Sequence, residues 1–377
     1  MFSTDSPKSH FFGDKIEARL LCIPGVASMS LLRMAVIGVG ALGRHHARIV
    51  SQMPGVELIA VADPNQVQGE KVAEAAKTKW VADHRVLIDD VDAVTIAVPT
   101  GFHFRVATDF LENGIHSLVE KPLAADLAEA RQLVQLADRT GATLQVGHVE
   151  RFNPAFQALR ERCDAPRYIR SERLSPFSFR STDIGVVHDM LIHDLDLILS
   201  LVHSPVSRVE AFGVSLMGEH EDAVQVRLNF ENGCLADLSA SRIHPTTRRA
   251  ATIWTDTRCF NVDFGSREVT TYTPSDRLRH GLSPVEQARQ PGADIEKLKQ
   301  DVFSSLIEVH QETPAPQDAL TAEIAEFIEC VRTGSTPTVT GSVALEALTV
   351  AERILGVLAT QRMISEQMPA IATRRAA

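Results

Sequence analysis

From Met34 onward the chain alternates short apolar runs with amphipathic stretches. Met34 to Ile37 reads as a buried strand and the stretch from Arg44 to Met53 as a helix. Val56 to Ala62 is a second strand, followed by a helix over 67–78 and a short strand over 80–82. Asp92 to Val98 is a strong strand, and a helix from His103 to Asn113 stops at Gly114. Ile115 to Val119, a helix from Leu123 to Thr140 ending at Gly141, and Thr143 to Gly147 complete the series. Continuous apolar runs mark strands buried on both faces, and their alternation with helices predicts a doubly wound parallel sheet over 34–150.

After His148 the period changes. Arg151-Phe152-Asn153-Pro154 opens a helix, with Asn153 as N-cap and proline at the first helical position. The spacing of Leu191, Leu195, Ile198 and Val202 predicts a helix over 186–202. Val224 to Phe230 then alternates with period two, and Glu231-Asn232-Gly233 reads as a hairpin turn into Cys234 to Leu238. The stretches 250–255 and 259–264 continue the pattern, 274–300 reads as a surface excursion, and Val302 to His310 as a last strand. Helices over 319–332 and 343–358 close the chain. The second domain, 151–360, is therefore expected to be α+β around a large, mainly antiparallel sheet, with 361–377 a tail.

Composition narrows the function classes. A chain of 377 residues exceeds what one core commonly supports. A net charge of −10 and 5% aromatic residues argue against a nucleic-acid surface or an anionic-membrane surface. No apolar run approaches the roughly 18 residues needed to cross a bilayer. Five scattered cysteines without a C-x-x-C pair fit free thiols in a reducing, cytoplasmic setting. Residues 1–33 are charged and broken by proline, and read as an extension outside the fold or an over-long start.

The chemistry begins at Gly38-Val39-Gly40-Ala41-Leu42-Gly43, a G-x-G-x-x-G pattern between a strand and a helix. The first glycine serves the tight turn, the second admits a pyrophosphate, and the third lets helix pack on strand. Asp63 ends the next strand 20 residues after Gly43, where an acid meets ribose hydroxyls. Pro64 and Asn65 follow it, not arginine, so NAD is expected in preference to NADP. Lys121, in Glu120-Lys121-Pro122, stands at the C-terminal end of a central strand, where open α/β sheets bind ligands. Asp189 and His193 lie four apart on the 186–202 helix and so share a face. Together the three suit alcohol oxidation: His193 takes the hydroxyl proton, Asp189 holds the imidazole, and Lys121 stabilises the developing alkoxide. His188 and His193 diverge around a helix, so no metal site is expected. His45 and His46 read as an exposed helix start, and His103 either touches the nicotinamide or merely begins its helix.

These residues resemble the Gfo/Idh/MocA oxidoreductases from 34 to about 360. The carriers are the glycine motif with His46, Pro99-Thr100-Gly101-Phe102-His103, Glu120-Lys121-Pro122, and Gly185 to Asp194 with Asp189 and His193. The resemblance implies NAD as cofactor, catalytic roles for Lys121, Asp189 and His193, and a homodimer or homotetramer formed through the second sheet. Pro99, Thr100, His103, Glu120 and Lys121 would join the glycine loop and Asp63 in holding the cofactor. Gly147 to Pro154 and Arg180 to Gly185 look most like the branch that oxidises C3 of UDP-N-acetylhexosamines. There Arg151 and Asn153 would flank the sugar. Arg173 and Arg180 are candidates for the diphosphate, because guanidinium forks suit phosphate oxygens. A dehydrogenase of free polyols and an NAD-binding sensor without turnover are the alternatives. The segments 1–33 and 274–300 depart from the family pattern.

Overall fold

The structure is a computed structural model and describes residues 30–179 and 184–367. Its first half runs β1 (Leu32–Ile37), α1 (Gly43–Val50), β2 (Val56–Ala62), α2 (Gln66–Ala76), β3 (Lys79–Val81), β4 (Ala93–Ile96), α3 (His103–Leu111), β5 (His116–Glu120), α4 (Leu127–Thr140) and β6 (Leu144–Gly147). The six strands lie in the order β3-β2-β1-β4-β5-β6, and every pairing is parallel. All four residues of β4 and of β6 are buried, as their apolar runs require. Caps set the helix ends. Asn65 accepts from Gln68 N–H at the start of α2, and Gly141, in the left-handed region at φ 74°, stops α4. Asp126 accepts from the N–H groups of Ala128 and Glu129, so α4 begins at Leu127, not at Leu123 as the apolar pattern suggested.

The second half contains α5 (Pro154–Arg160), β7 (Tyr168–Leu174), a π-helical turn (Val187–Leu191) continuing into α6 (Ile192–Val202), β8 (Val206–Val214), β9 (Ala223–Phe230), β10 (Leu235–Ser241), β11 (Arg248–Trp254), β12 (Cys259–Asp263) and β13 (Glu268–Pro274). Three short helices follow, α7 (Asp276–His280), α8 (Pro284–Ala288) and α9 (Ile295–Asp301), then β14 (Ile307–Glu312), α10 (Ala319–Thr333) and α11 (Gly341–Gln367). The eight strands run β14-β13-β12-β11-β7-β10-β9-β8, antiparallel except for β7 beside β10. The hairpin at Gly233 (φ 84°) joins β9 to β10 as expected.

Several expectations need correction. β7, β8 and β13 were not foreseen, and the last strand is Ile307–Glu312, because a π turn takes up Val302–Leu306. The 274–300 excursion is helical, and its three helices bury no residue. Helix α10, expected to belong to the second domain, packs on the first sheet. Ile324, Phe327 and Ile328 share a core with Met34, Val36, Val50 and Leu118. Helix α11 touches α4, α6 and β8, so the closing helices fasten the two halves together. Cys163, Cys234, Cys259 and Cys330 form no disulfide.

Candidate functional site

At the switch point between β1 and β4 opens a cavity of about 930 Å³, within the size range of ligand sites. Its wall includes Gly38, Gly40, Ala41, Leu42 and Asp63. Gly38 has φ +80°, and a Cβ on Gly43 would lie 1.8 Å from the Gly38 carbonyl oxygen, so neither position admits a side chain. A Cβ on Gly40 would meet nothing within 4 Å; there the backbone faces open space. No side chain caps α1, and the positive end of its dipole faces the glycine loop, which favours an anion there. Asp63 accepts from Val39 N–H and Asn65 N–H, each at 2.8 Å, which ties the loop to the end of β2 and leaves carboxylate lone pairs for ribose hydroxyls. These features fit a dinucleotide.

Pro99, Thr100, His103, Glu120 and Lys121 also line the cavity, joined from the second half by Asp189. Lys121 is the hinge of the arrangement. Its Nζ donates to the Asp189 carbonyl oxygen at 2.7 Å and lies 3.3 Å from Asp189 Oδ1. The end of β5 is thereby bonded to the π turn of the other half. The Lys121–Pro122 peptide is cis. Glu120 is buried, accepts from Lys121 N–H at 3.3 Å, and lies 3.1 Å from His46 Nε2. His46 is fully buried, which overturns its reading as an exposed helix start. Gly43, His46, Ala47 and Val50 are all buried on one face of α1. That i, i+3, i+4, i+7 spacing was the signal in the sequence. His103 lies between two carbonyl oxygens, Pro122 at 2.8 Å from Nδ1 and Val98 at 2.9 Å from Nε2. It spans the ends of β4 and β5, and both nitrogens face backbone, not the cavity.

His193 is half-buried. Its Nδ1 is sealed from solvent without a partner, and no hydrogen bond joins it to Asp189. The expectation that Asp189 holds the imidazole therefore fails. The sequence spacing assumed α-helical geometry, but Asp189 sits in a π turn, and its carboxylate is turned to Lys121. Burial, reinforced by the cations of Lys121 and Arg173, holds the His193 pKa well below its ordinary value, so the ring is neutral and able to accept a proton. His148 follows β6 directly and stands edge-on to His193, with ring centroids 6.3 Å apart. It is fully buried, burial lowers its pKa, and neither ring nitrogen has a hydrogen-bond partner, Nδ1 lying 4.0 Å from Asp196 Oδ2. Its place at a strand end, like that of Lys121, was the clue the sequence held. His188 points away from the site, to Glu352 at 2.9 Å. Among the described residues no group of three His, Cys, Asp or Glu side chains is arranged to hold a metal.

The arginines and Asn153 also depart from expectation. Arg151 is buried against Asp196, with Nε 2.6 Å and Nη2 3.0 Å from its carboxylate oxygens. Arg173, 4% exposed, donates to Asp194 through Nε at 2.6 Å and to Glu150 through Nη1 at 2.8 Å. Both guanidiniums are enclosed in ion pairs, so Arg173 is not free to receive a diphosphate, nor Arg151 to flank a sugar. Asn153 donates to Glu150 and to the Phe264 carbonyl and caps α5, so its amide is engaged within the second half and is not free to flank a sugar. Arg180 lies outside the described residues.

Residues 32–148 match the family described as the oxidoreductase family with an NAD-binding Rossmann fold, and residues 160–259 match the GFO/IDH/MocA C-terminal domain. The chain is 35% identical over 305 residues to UDP-N-acetylglucosamine 3-dehydrogenase of Acidithiobacillus ferrooxidans, an alignment covering 80% of this chain and 88% of the relative. It is 31% identical to the NAD-linked scyllo-inositol 2-dehydrogenase of Bacillus subtilis, over 82% and 89% of the two chains. The solved structure of the Acidithiobacillus enzyme superposes with a TM-score of 0.77 at 32% identity, covering 87% of this chain and 98% of that one. With the glycine loop, the strand-end lysine and both sheets in place, the chain belongs to the Gfo/Idh/MocA family of NAD-binding oxidoreductases.

Proposed function

We propose that this enzyme oxidises a secondary hydroxyl of a sugar with NAD as acceptor, most specifically C3 of a UDP-N-acetylhexosamine, giving the 3-keto sugar nucleotide. The observation that carries the reading is the Lys121–Asp189 bond, which places a cation from the nucleotide-binding half at the cavity beside the His193 helix. Bound NAD, held by the glycine loop and Asp63, would supply the hydride acceptor for the substrate carbon. Neutral His193 takes the hydroxyl proton. Lys121 holds the hydroxyl oxygen and stabilises the negative charge that grows on it, a contribution of about 3–4 kcal/mol where such donors have been removed from other enzymes. Asp189 fixes the Lys121 ammonium; Glu120, anchored by His46, steadies the strand end. We further propose a cytoplasmic homodimer or homotetramer formed through the eight-stranded sheet.

Incubation with NAD and UDP-N-acetylglucosamine, read as reduced cofactor by absorbance and as keto sugar by mass, tests the proposal. Formation of both is expected; no product from any UDP-sugar would overturn the narrow assignment. A polyol such as inositol is the second reading. It is favoured by the scyllo-inositol relative and by the withdrawal of Arg151 and Arg173 into buried pairs.

A further inference from the structure

One arginine on the substrate side is differently placed. Along β11, Ala251 and Ile253 face the buried side of the eight-stranded sheet. Arg249 shares their face by the two-residue period of a strand. Its side chain is nonetheless 53% exposed. It stands near the start of the strand, in register with Arg173 on β7, and its backbone carbonyl accepts from Phe264 N–H at 2.9 Å. Arg173 is committed to Asp194 and Glu150, as above. The Glu150 Oε1 that accepts from Arg173 at 2.8 Å lies 3.7 Å from Arg249 Nη1, beyond hydrogen-bond length. The carboxylates beneath are thus held by Arg173, and the Arg249 guanidinium overhangs them toward solvent. It stands on the side of the proposed base, because Glu150, 3.7 Å from its Nη1, comes two residues after His148, whose ring is edge-on to His193.

We propose that Arg249 is the specificity residue for an anionic substrate, receiving its phosphate or diphosphate through the two-pronged face of the guanidinium. The assignment rests on the sugar-nucleotide reading and supplies the cation that Arg173 cannot. A planar fork matches two phosphate oxygens at once, and a half-exposed site lets the ligand enter while shedding only part of its hydration. Arg173 then serves differently, absorbing the charge of Glu150, which would otherwise repel the anion beside Arg249.

The test uses the full-length protein with Arg249→Gln and Arg249→Lys. Steady-state rates are measured with UDP-N-acetylglucosamine, a sugar 1-phosphate, and the neutral sugars N-acetylglucosamine and myo-inositol, with free UDP as inhibitor. For Arg249→Gln the expected outcome is a KM for the nucleotide sugar raised by about tenfold or more, with UDP inhibition weakened in step. The KM for a neutral substrate should change far less than that for the nucleotide sugar, and Arg249→Lys should recover part of the loss. If the wild type turns over the nucleotide sugar but Arg249→Gln leaves its KM and UDP inhibition unaltered, the assignment is overturned and Arg249 merely balances Glu150; a lowered melting midpoint would accompany that result. If the wild type accepts neutral sugars alone and ignores UDP, the sugar-nucleotide reading falls together with this one.

Discussion

At the scale of single residues, the chemistry turns on a neutral imidazole beside a fixed ammonium. Lys121→Met keeps the stem and removes the charge, so it should lower kcat by about 10²–10³-fold. NAD binding, followed by titration of cofactor fluorescence, should be nearly intact; loss of both in proportion would mean that Lys121 holds cofactor and not the reacting oxygen. Because burial and the Lys121 cation keep His193 from protonating, its pKa lies well below the ordinary value. The acid limb of kcat/KM should therefore fall well below pH of about 6.5. An acid limb at or above that value would transfer the base role to another group. The sequence was informative here where a position is dictated by the fold: Lys121 at a strand end, Asp189 and His193 on one helix. It misled where a partner had to be chosen. Four-residue spacing paired Asp189 with His193, and only the π turn sends the carboxylate to Lys121. Free-looking arginines at 151 and 173 likewise concealed Asp196, Asp194 and Glu150, which come from elsewhere in the chain.

At the scale of elements, what could be read followed from how cleanly burial wrote itself into hydrophobicity. The parallel strands are buried on both faces and stand out as apolar runs. β7 does not, because two of its inward positions are Ser171 and Arg173, buried polar groups satisfied by Asp194 and Glu150. Its alternation is real but its inner face is polar, so period-two reasoning on apolarity passes over it. The link between β1 and α1 is legible and unforgiving. Gly43→Ala brings a Cβ within 1.8 Å of a backbone oxygen, where no side-chain rotation relieves it, so α1 must shift from the phosphate position. Cofactor affinity should fall by tenfold or more, about 1.4 kcal/mol, with the far-UV spectrum retained; unchanged affinity by calorimetric titration would contradict the glycine loop's role. Helix α10 gives the complementary case, a distant segment completing the first core. Phe327→Ala, at a fully buried position, should cost about 3–5 kcal/mol. The loss should appear in the denaturation midpoint and not in the KM of the folded fraction.

At the scale of the whole molecule, the interior holds ionisable groups kept neutral beside its buried ion pairs, and the neutral groups set how stability responds to mild acid. Burial lowers the pKa of His103, His148 and His193, while it raises that of Glu323, whose two carboxyl oxygens are buried without partners. The three imidazoles refuse protons that the unfolded chain accepts below about pH 6.5. In that range the unfolded state binds more protons, so stability rises with pH and is lost as pH falls. Each such group contributes a slope of up to about 1.4 kcal/mol per pH unit below the unfolded value. Glu323 acts with the opposite sign: the folded chain keeps a proton that the unfolded chain releases above about pH 4.5, so stability from this group declines as pH rises. One carboxyl opposes these three imidazoles and His116, whose pKa burial lowers in the same sense, and the imidazoles dominate between about pH 6.5 and 5. The thermal midpoint should therefore drop from pH 7.5 to 5.5, a window lying above the ordinary carboxylate range of roughly 4–4.5. Glu323→Gln should raise the midpoint at pH 7.5, because the unfolded state no longer gains from ionisation there, and should leave the drop between the two pH values at least as large. A wild-type midpoint flat across this window would mean that the three imidazoles charge in the folded protein. His193 could not then be the neutral acceptor on which the proton transfer depends.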